Sequence, residues 1–285
     1  MSVHILSSIR DVGAARMAWL VDIWGVMHNG VAPFLGAAEA CRAFRMSGGT
    51  VLLLSNAPRP AAAVATQLQR IGVPDDAYDI ILTSGDAARE LVHRAVVTGQ
   101  AIGHLGPDRD LGIYDGLDAR LVAPEKSDTV VCTGLVDDER ETAETYAPLL
   151  TGLARRGVPM ICANPDLAVE RGGKIIPCAG ALAKAYEALG GHVAYAGKPY
   201  RPIYDLARER LATKRGAPLT DSDILAIGDG ISTDILGAAS AGIEAVYIAS
   251  GVHLARDAAL DADAIQTLFP EDAPRPIAAM MALVW

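Results

Sequence analysis

The chain has 285 residues, 51% apolar and only 5% aromatic, which is enough for one large domain or two ordinary ones built on an aliphatic core. Its formal net charge of −9, with no run of Lys or Arg to offset it, speaks against a nucleic acid polymer as partner, because a polyanion must be met by clustered cations. No stretch reaches the roughly 18 uninterrupted apolar residues of a membrane span, and Arg10, Asp11 and Arg16 interrupt the N-terminal segment before a secretory apolar core could form. The expectation is a cytoplasmic protein with no membrane partner.

In chain order, Trp19-Leu20-Val21 reads as a buried strand that delivers Asp22 to its carboxyl end, where Gly25 lets the backbone turn away. Residues 36–47 carry a helical apolar face that stops at Gly48-Gly49, and Thr50 to Leu54 is a second buried strand running into Ser55-Asn56. A helix over 61–70, a strand over 79–83 and a helix after Ser84-Gly85-Asp86 continue a βαβ alternation, which implies a parallel sheet.

From about residue 100 to 191 the alternation reads as a separate unit, with strands at 101–105, 129–133 and 160–163 and helices at 141–156 and 181–189. The last third resumes with a strand at 193–197 ahead of Lys198-Pro199, a helix over 203–212 and a strand at 224–227 running into Gly228-Asp229-Gly230. A helix at 233–241, a strand at 245–248, an acidic helical face at 257–263 and a terminal helix at 277–285 complete the expectation. Cys41, Cys132, Cys162 and Cys178 are scattered, with no CxxC pair and no His at zinc-ligand spacing, so they read as reduced thiols.

Four strand-end signals therefore stand in order: Asp22, Ser55-Asn56, Lys198, and Asp229 with Asp234. Each has an ordinary alternative. Ser55-Asn56 can be a turn, Lys198 a surface lysine and GDGISTD a capped loop. Their joint order is what carries information. Ligands of open parallel sheets gather outside the carboxyl ends of the strands.

These residues resemble the haloacid dehalogenase superfamily. DIWGV matches its first motif, LLLSN its second, the lysine of GKP its third and GDGISTD its fourth. A unit placed between the second and third motifs, carrying Ala163-Asn164-Pro165-Asp166, is similar to the class IIA caps. The resemblance implies a doubly wound, Rossmann-like α/β core from residues 1–88 and 191–285, with an inserted α/β cap at 89–190. It implies hydrolysis of a small phosphorylated metabolite, such as a sugar phosphate or nucleotide, with Asp22 forming a phosphoaspartate. Mg²⁺ would be held by Asp22, Asp229, Asp234 and the backbone carbonyl of Trp24. Lys198 would neutralise charge, Ser55 and Asn56 would bind the phosphoryl group, and Asn164 and Asp166 would face the substrate. A homodimer is left open.

One position departs from the pattern. The phosphatase motif places a second Asp two residues after the nucleophile, and here that residue is Trp24, whose indole cannot transfer a proton at neutral pH. General acid-base help is worth about 100- to 10,000-fold in rate. His28, on the same loop, is the candidate substitute, against the reading of a histidine bonded within the loop. The alternative function is a protein that binds a phosphorylated ligand with little or no turnover.

Overall fold

The computed structural model describes residues 3–171, 174–249, 260–270 and 273–285. The chain divides into two compact units. The first takes in Met1–Ser55, Ala65–Leu82 and Lys198–Trp285, and the second takes in Asn56–Val64 and Thr83–Gly197. The joins placed at 88–89 and 190–191 from sequence fall inside the second unit: the first would cut helix Ser84–Val97, and strand Val193–Tyr195, beyond the second, still pairs with Met160–Cys162.

The first unit is built on a seven-stranded sheet. Its order is His4–Ile5, Ala278–Met280, Glu244–Ile248, Ile224–Gly228, Ala18–Asp22, Thr50–Ser55 and Ile80–Thr83. Ala18–Asp22 is parallel to both of its neighbours and buried at every position, as expected of a central strand covered on both faces. Helix Leu35–Met46 packs with Ala37, Ala38, Ala40, Cys41 and Phe44 inward, an i, i+3, i+4, i+7 stripe. Phe44 stacks on Trp19 with ring centroids 4.0 Å apart, and Trp19 Nε1 donates to the Gly13 carbonyl at 3.2 Å. Burial of a Phe-sized side chain contributes about 1.5–3 kcal/mol.

From Ala18–Asp22 the chain winds outward one way to Ile80–Thr83, then returns to the other side through Ile224–Gly228 and Glu244–Ile248. The order reverses between Ala18–Asp22 and Ile224–Gly228, and that reversal defines where a ligand crevice opens.

The second unit has its own five-stranded parallel sheet, ordered Val193–Tyr195, Met160–Cys162, Thr129–Cys132, Ile102–Leu105 and Leu121–Val122. An antiparallel hairpin, Ala168–Arg171 with Lys174–Pro177, accompanies it.

Several expectations are corrected. The terminal helix expected at 277–285 is absent, and Ala278–Met280 instead pairs in parallel with Val246–Ile248, fully buried. An alanine-rich stretch suits a helix by propensity, but a vacant place beside a buried strand overrides it. The helix expected over 141–156 begins as a 3₁₀ turn at Ala143–Tyr146 and becomes α-helical at Ala147–Arg156, where Pro148 fits the first turn. The helix near the acidic segment is Ala262–Leu268, capped by Asp261, while Asp257 lies outside the described residues. All four cysteines are buried. No helix among the described residues is long and apolar enough to cross a membrane.

Candidate active site

Two neighbouring strands of the first sheet end in carboxylates. Val21 is paired with Ile227, so Asp22 and the Gly228-Asp229 turn leave the sheet side by side at the point where strand order reverses. Both acids are buried. Their closeness depends on glycine. Gly25 has φ +85°, and a Cβ there would lie 2.0 Å from Asp229 Oδ2, so any side chain would push the carboxylate away. A Cβ at Gly228 would likewise lie 2.2 Å from Asp234 Cγ.

Asp234 sits on a single π-helical turn, Ile231–Ile235, a form concentrated at functional sites. Its Oδ2 accepts from the Gly230 N–H at 3.0 Å, which turns Oδ1 toward Lys198.

Lys198 follows strand Val193–Tyr195 and is 2% exposed. Its ammonium donates to Asp22 Oδ1 at 2.5 Å, Asp234 Oδ1 at 2.8 Å and the Leu54 carbonyl at 3.0 Å. Leu54 lies level with Asp22 on the adjacent strand. A buried charge is tolerable only when its donors are satisfied, and these three acceptors satisfy the ammonium. Burial alone would lower the Lys198 pKa, but the two carboxylates outweigh it and hold the ammonium protonated.

Two carboxylates share that ammonium and Asp229 lies beside them, so the group of three acids and one cation carries a formal −2 (three negative charges against one positive). The excess appears in the titration behaviour. Burial raises Asp22 above the ordinary carboxylate range, and Lys198 only partly pulls it back. Asp229, which has no ion pair among the described residues, is pushed up to about 8 by burial and then by Asp22 and Asp234.

The donor set fits a divalent cation. Asp22, Asp229 and Asp234 each present an oxygen, all within 4.8 Å of one another. Oxygen-only donors suit a hard ion such as Mg²⁺, and two positive charges would balance the excess. Asp234 is already committed to Lys198 and Gly230. Asp22, Asp229 and the Trp24 backbone carbonyl are the groups that would hold the ion.

The remaining expected residues are placed as follows. Ser55 ends strand Thr50–Ser55, next to the carbonyl that receives Lys198. His28 is buried, and its Nδ1 accepts the Gly30 N–H at 2.9 Å, which puts the ring proton on Nε2. Burial lowers its pKa to about 4. A neutral ring with one nitrogen held by the backbone is a poor proton shuttle near pH 7, so the loop-bonding reading fits it better. The Trp24 ring lies edge-on to His28 and against Gly30. Asn56, Asn164 and Asp166 belong to the second unit, where Asn56 donates to Asp166.

Sequence reasoning missed the Leu54 carbonyl, a backbone group that no side-chain pattern marks, and the close approach of Asp229 to Gly25. It also missed Tyr204, buried beside this group, whose hydroxyl pKa is raised by burial and by Asp234.

Comparison with known proteins identifies the family. Residues 19–118 match the family model described as haloacid dehalogenase-like hydrolase, and residues 195–272 match one described as HAD-hydrolase-like. A crystal structure of a haloacid dehalogenase-like family hydrolase from Brucella suis 1330 is similar at 44% identity and a TM-score of 0.87, over 98% of this chain and 100% of that one. The 5'-nucleotidase YutF of Bacillus subtilis (strain 168) is 25% identical over 88% of this chain and 95% of its own length. The acid sugar phosphatase of Staphylococcus aureus (strain USA300) is 27% identical over 84% and 89%. With near-complete coverage at 44% identity, and with family models matching residues 19–118 and 195–272, the chain belongs to the haloacid dehalogenase-like hydrolases, in their class IIA branch.

Proposed function

We propose that this hydrolase is a Mg²⁺-dependent phosphatase that cleaves phosphate monoesters of small metabolites, such as sugar phosphates or nucleotides, through Asp22. The observation that carries the reading is the buried Asp22–Lys198–Asp234 network beside an Asp229 carboxylate that makes no ion pair among the described residues. The activities in the names of the two bacterial relatives support it.

In this mechanism Lys198 favours the ionised form of Asp22 and orients it through Oδ1, leaving its other oxygen to attack phosphorus. The bond from phosphorus to the leaving oxygen breaks, and the electron pair departs with that oxygen. A water oxygen then attacks the aspartyl phosphate, the bond between phosphorus and Asp22 breaks, and the water proton passes to solvent. Bound Mg²⁺ supplies positive charge against the phosphoryl oxygens and the nucleophile. Ser55 would donate to the same oxygens, and Lys198 would add a fixed charge in a water-poor setting.

Neither Trp24 nor neutral His28 protonates the leaving group well. Esters with good leaving groups should therefore react fastest, by a margin of about 100- to 10,000-fold over alkyl esters. The test is phosphate release from p-nitrophenyl phosphate and an alkyl phosphate in Mg²⁺, with Asp22→Asn and chelated controls. Release that needs both Asp22 and Mg²⁺ and favours the aryl ester supports the proposal. Stabilisation by inorganic phosphate without any release would overturn it in favour of a phosphate-binding protein.

A further inference from the structure

Asn56 follows Ser55 directly, so the peptide between them joins the loop read as phosphoryl-binding to whatever fixes Asn56. The Asn56 side chain is buried, and its Nδ2 donates to Asp166 Oδ1 at 2.8 Å. That bond settles which end of the amide points where. Asn56 Oδ1 then faces Gly197, where an added Cβ would lie 2.4 Å from it and 2.7 Å from Ser84 Oγ. Gly197 immediately precedes Lys198.

Asp166 is itself rigidly presented. Its N–H is held by Asn164 Oδ1 at 3.0 Å, and its carbonyl accepts the Gly180 N–H at 3.1 Å at the start of helix Ala179–Ala188. A Cβ at Gly180 would lie 2.2 Å from the Pro165 carbonyl oxygen and 2.5 Å from that of Asp166, so the turn is pressed against the helix end. A carboxylate on a backbone clamped at both sides suits the fixing of another group better than the following of a variable substrate.

We infer that Asp166 is a positioning residue for the Ser55-Asn56 loop, acting through the Asn56 amide, and not a contact to the leaving group. This rests on the phosphatase reading above. Because it acts at the phosphoryl end, its loss lowers turnover by the same factor whatever group departs.

The test compares Asp166→Ala, Asp166→Asn, Asn56→Asp and the exchange Asn56→Asp with Asp166→Asn. Each is assayed for kcat and KM on p-nitrophenyl phosphate and acetyl phosphate, for binding of inorganic phosphate with Mg²⁺ by calorimetry, and for its unfolding midpoint. Asp166→Ala should lower kcat about 10- to 100-fold on both substrates, the range expected for one charge-assisted hydrogen bond. Asp166→Asn, which still accepts from Asn56, should stay near wild type. Asn56→Asp sets two carboxylates face to face and should be the most damaged, and the exchange should restore most of the loss. Losses that depend on the leaving group, an exchange no better than Asn56→Asp alone, or losses that track the unfolding midpoint would overturn the inference. If the wild type binds phosphate without releasing it, the phosphatase reading fails, and weaker phosphate binding by Asp166→Ala still supports the positioning role. If the wild type is active and Asp166→Ala equals it, only the positioning role fails.

Discussion

The two sheets share a design and differ in what stands at the point where strand order reverses. In the first unit the reversal lies between Ala18–Asp22 and Ile224–Gly228, and the strand ends carry Asp22, Asp229 and their neighbours around Lys198. In the second it lies between Ile102–Leu105 and Thr129–Cys132, and the next residues are Gly106 and Thr133. There a Cβ at Gly106 would lie 2.0 Å from Thr133 Oγ1, so hydroxyl and backbone are packed together, and the buried Asp110 carboxyl is pushed up by burial while Arg109, Arg59 and the Thr133 hydroxyl draw it down. Topology offers a ligand position in both. In the first, three carboxylates gathered around one lysine supply charge that a ligand would complete.

The largest contrast is expected on removing one side chain from each place. Lys198→Ala leaves Asp22 and Asp234 facing each other without a cation and should cost about 3–5 kcal/mol, measured by denaturant unfolding without metal. Thr133→Val, by contrast, removes an uncharged hydroxyl beside Asp110 and should cost less, about 1–3 kcal/mol. Equal effects at both positions would remove the distinction.

The contrast sharpens with pH. Asp229 titrates near 8 without metal and must lose its proton to bind a cation, so Mg²⁺ affinity should rise with pH up to about 8, by about tenfold per unit for each proton displaced. Titration calorimetry in buffers of different ionisation enthalpy would count the protons. A flat profile would mean that Asp229 is no ligand. Gly25→Ala should weaken the same Mg²⁺ affinity, because it intrudes on Asp229 Oδ2.

A smaller effect concerns His28, whose pKa is about 4 when folded and 6.5 in the unfolded chain. Above 6.5 neither state binds the proton, so His28 contributes no pH dependence there. As pH falls from 6.5 toward 4 the unfolded chain gains the proton first, and stability drops by up to about 3 kcal/mol. Asp22 and Asp229 work in the opposite sense over part of this range, because their raised pKa values favour the folded state as protons bind. The check is therefore the difference between wild type and His28→Leu, which should shrink as the pH is lowered. A difference independent of pH would contradict the neutral-ring assignment.

Much of this site is legible in sequence for a physical reason. Buried parallel strands read as apolar runs, and Val21 and Ile227 end such runs just before Asp22 and the Gly228-Asp229 turn. Lys198 was legible only through its place in the motif order, since strand Val193–Tyr195 is short and partly exposed. What escaped was tertiary in origin. Ala278–Met280 is a strand because Val246–Ile248 lies beside it, and the Leu54 carbonyl matters because Asp22 is its register partner. His28 was overvalued because nearness in sequence to Asp22 says nothing about its bond to the Gly30 N–H.

The central claim is that Asp22 is the group that takes the phosphoryl. The most direct measurement is peptide mapping by mass spectrometry of enzyme acid-quenched during turnover of p-nitrophenyl phosphate in Mg²⁺. The account predicts a phosphorylated peptide containing Asp22 in the wild type and none in Asp22→Asn. Turnover that persists in Asp22→Asn, or a phosphoryl group found on another residue, would contradict it.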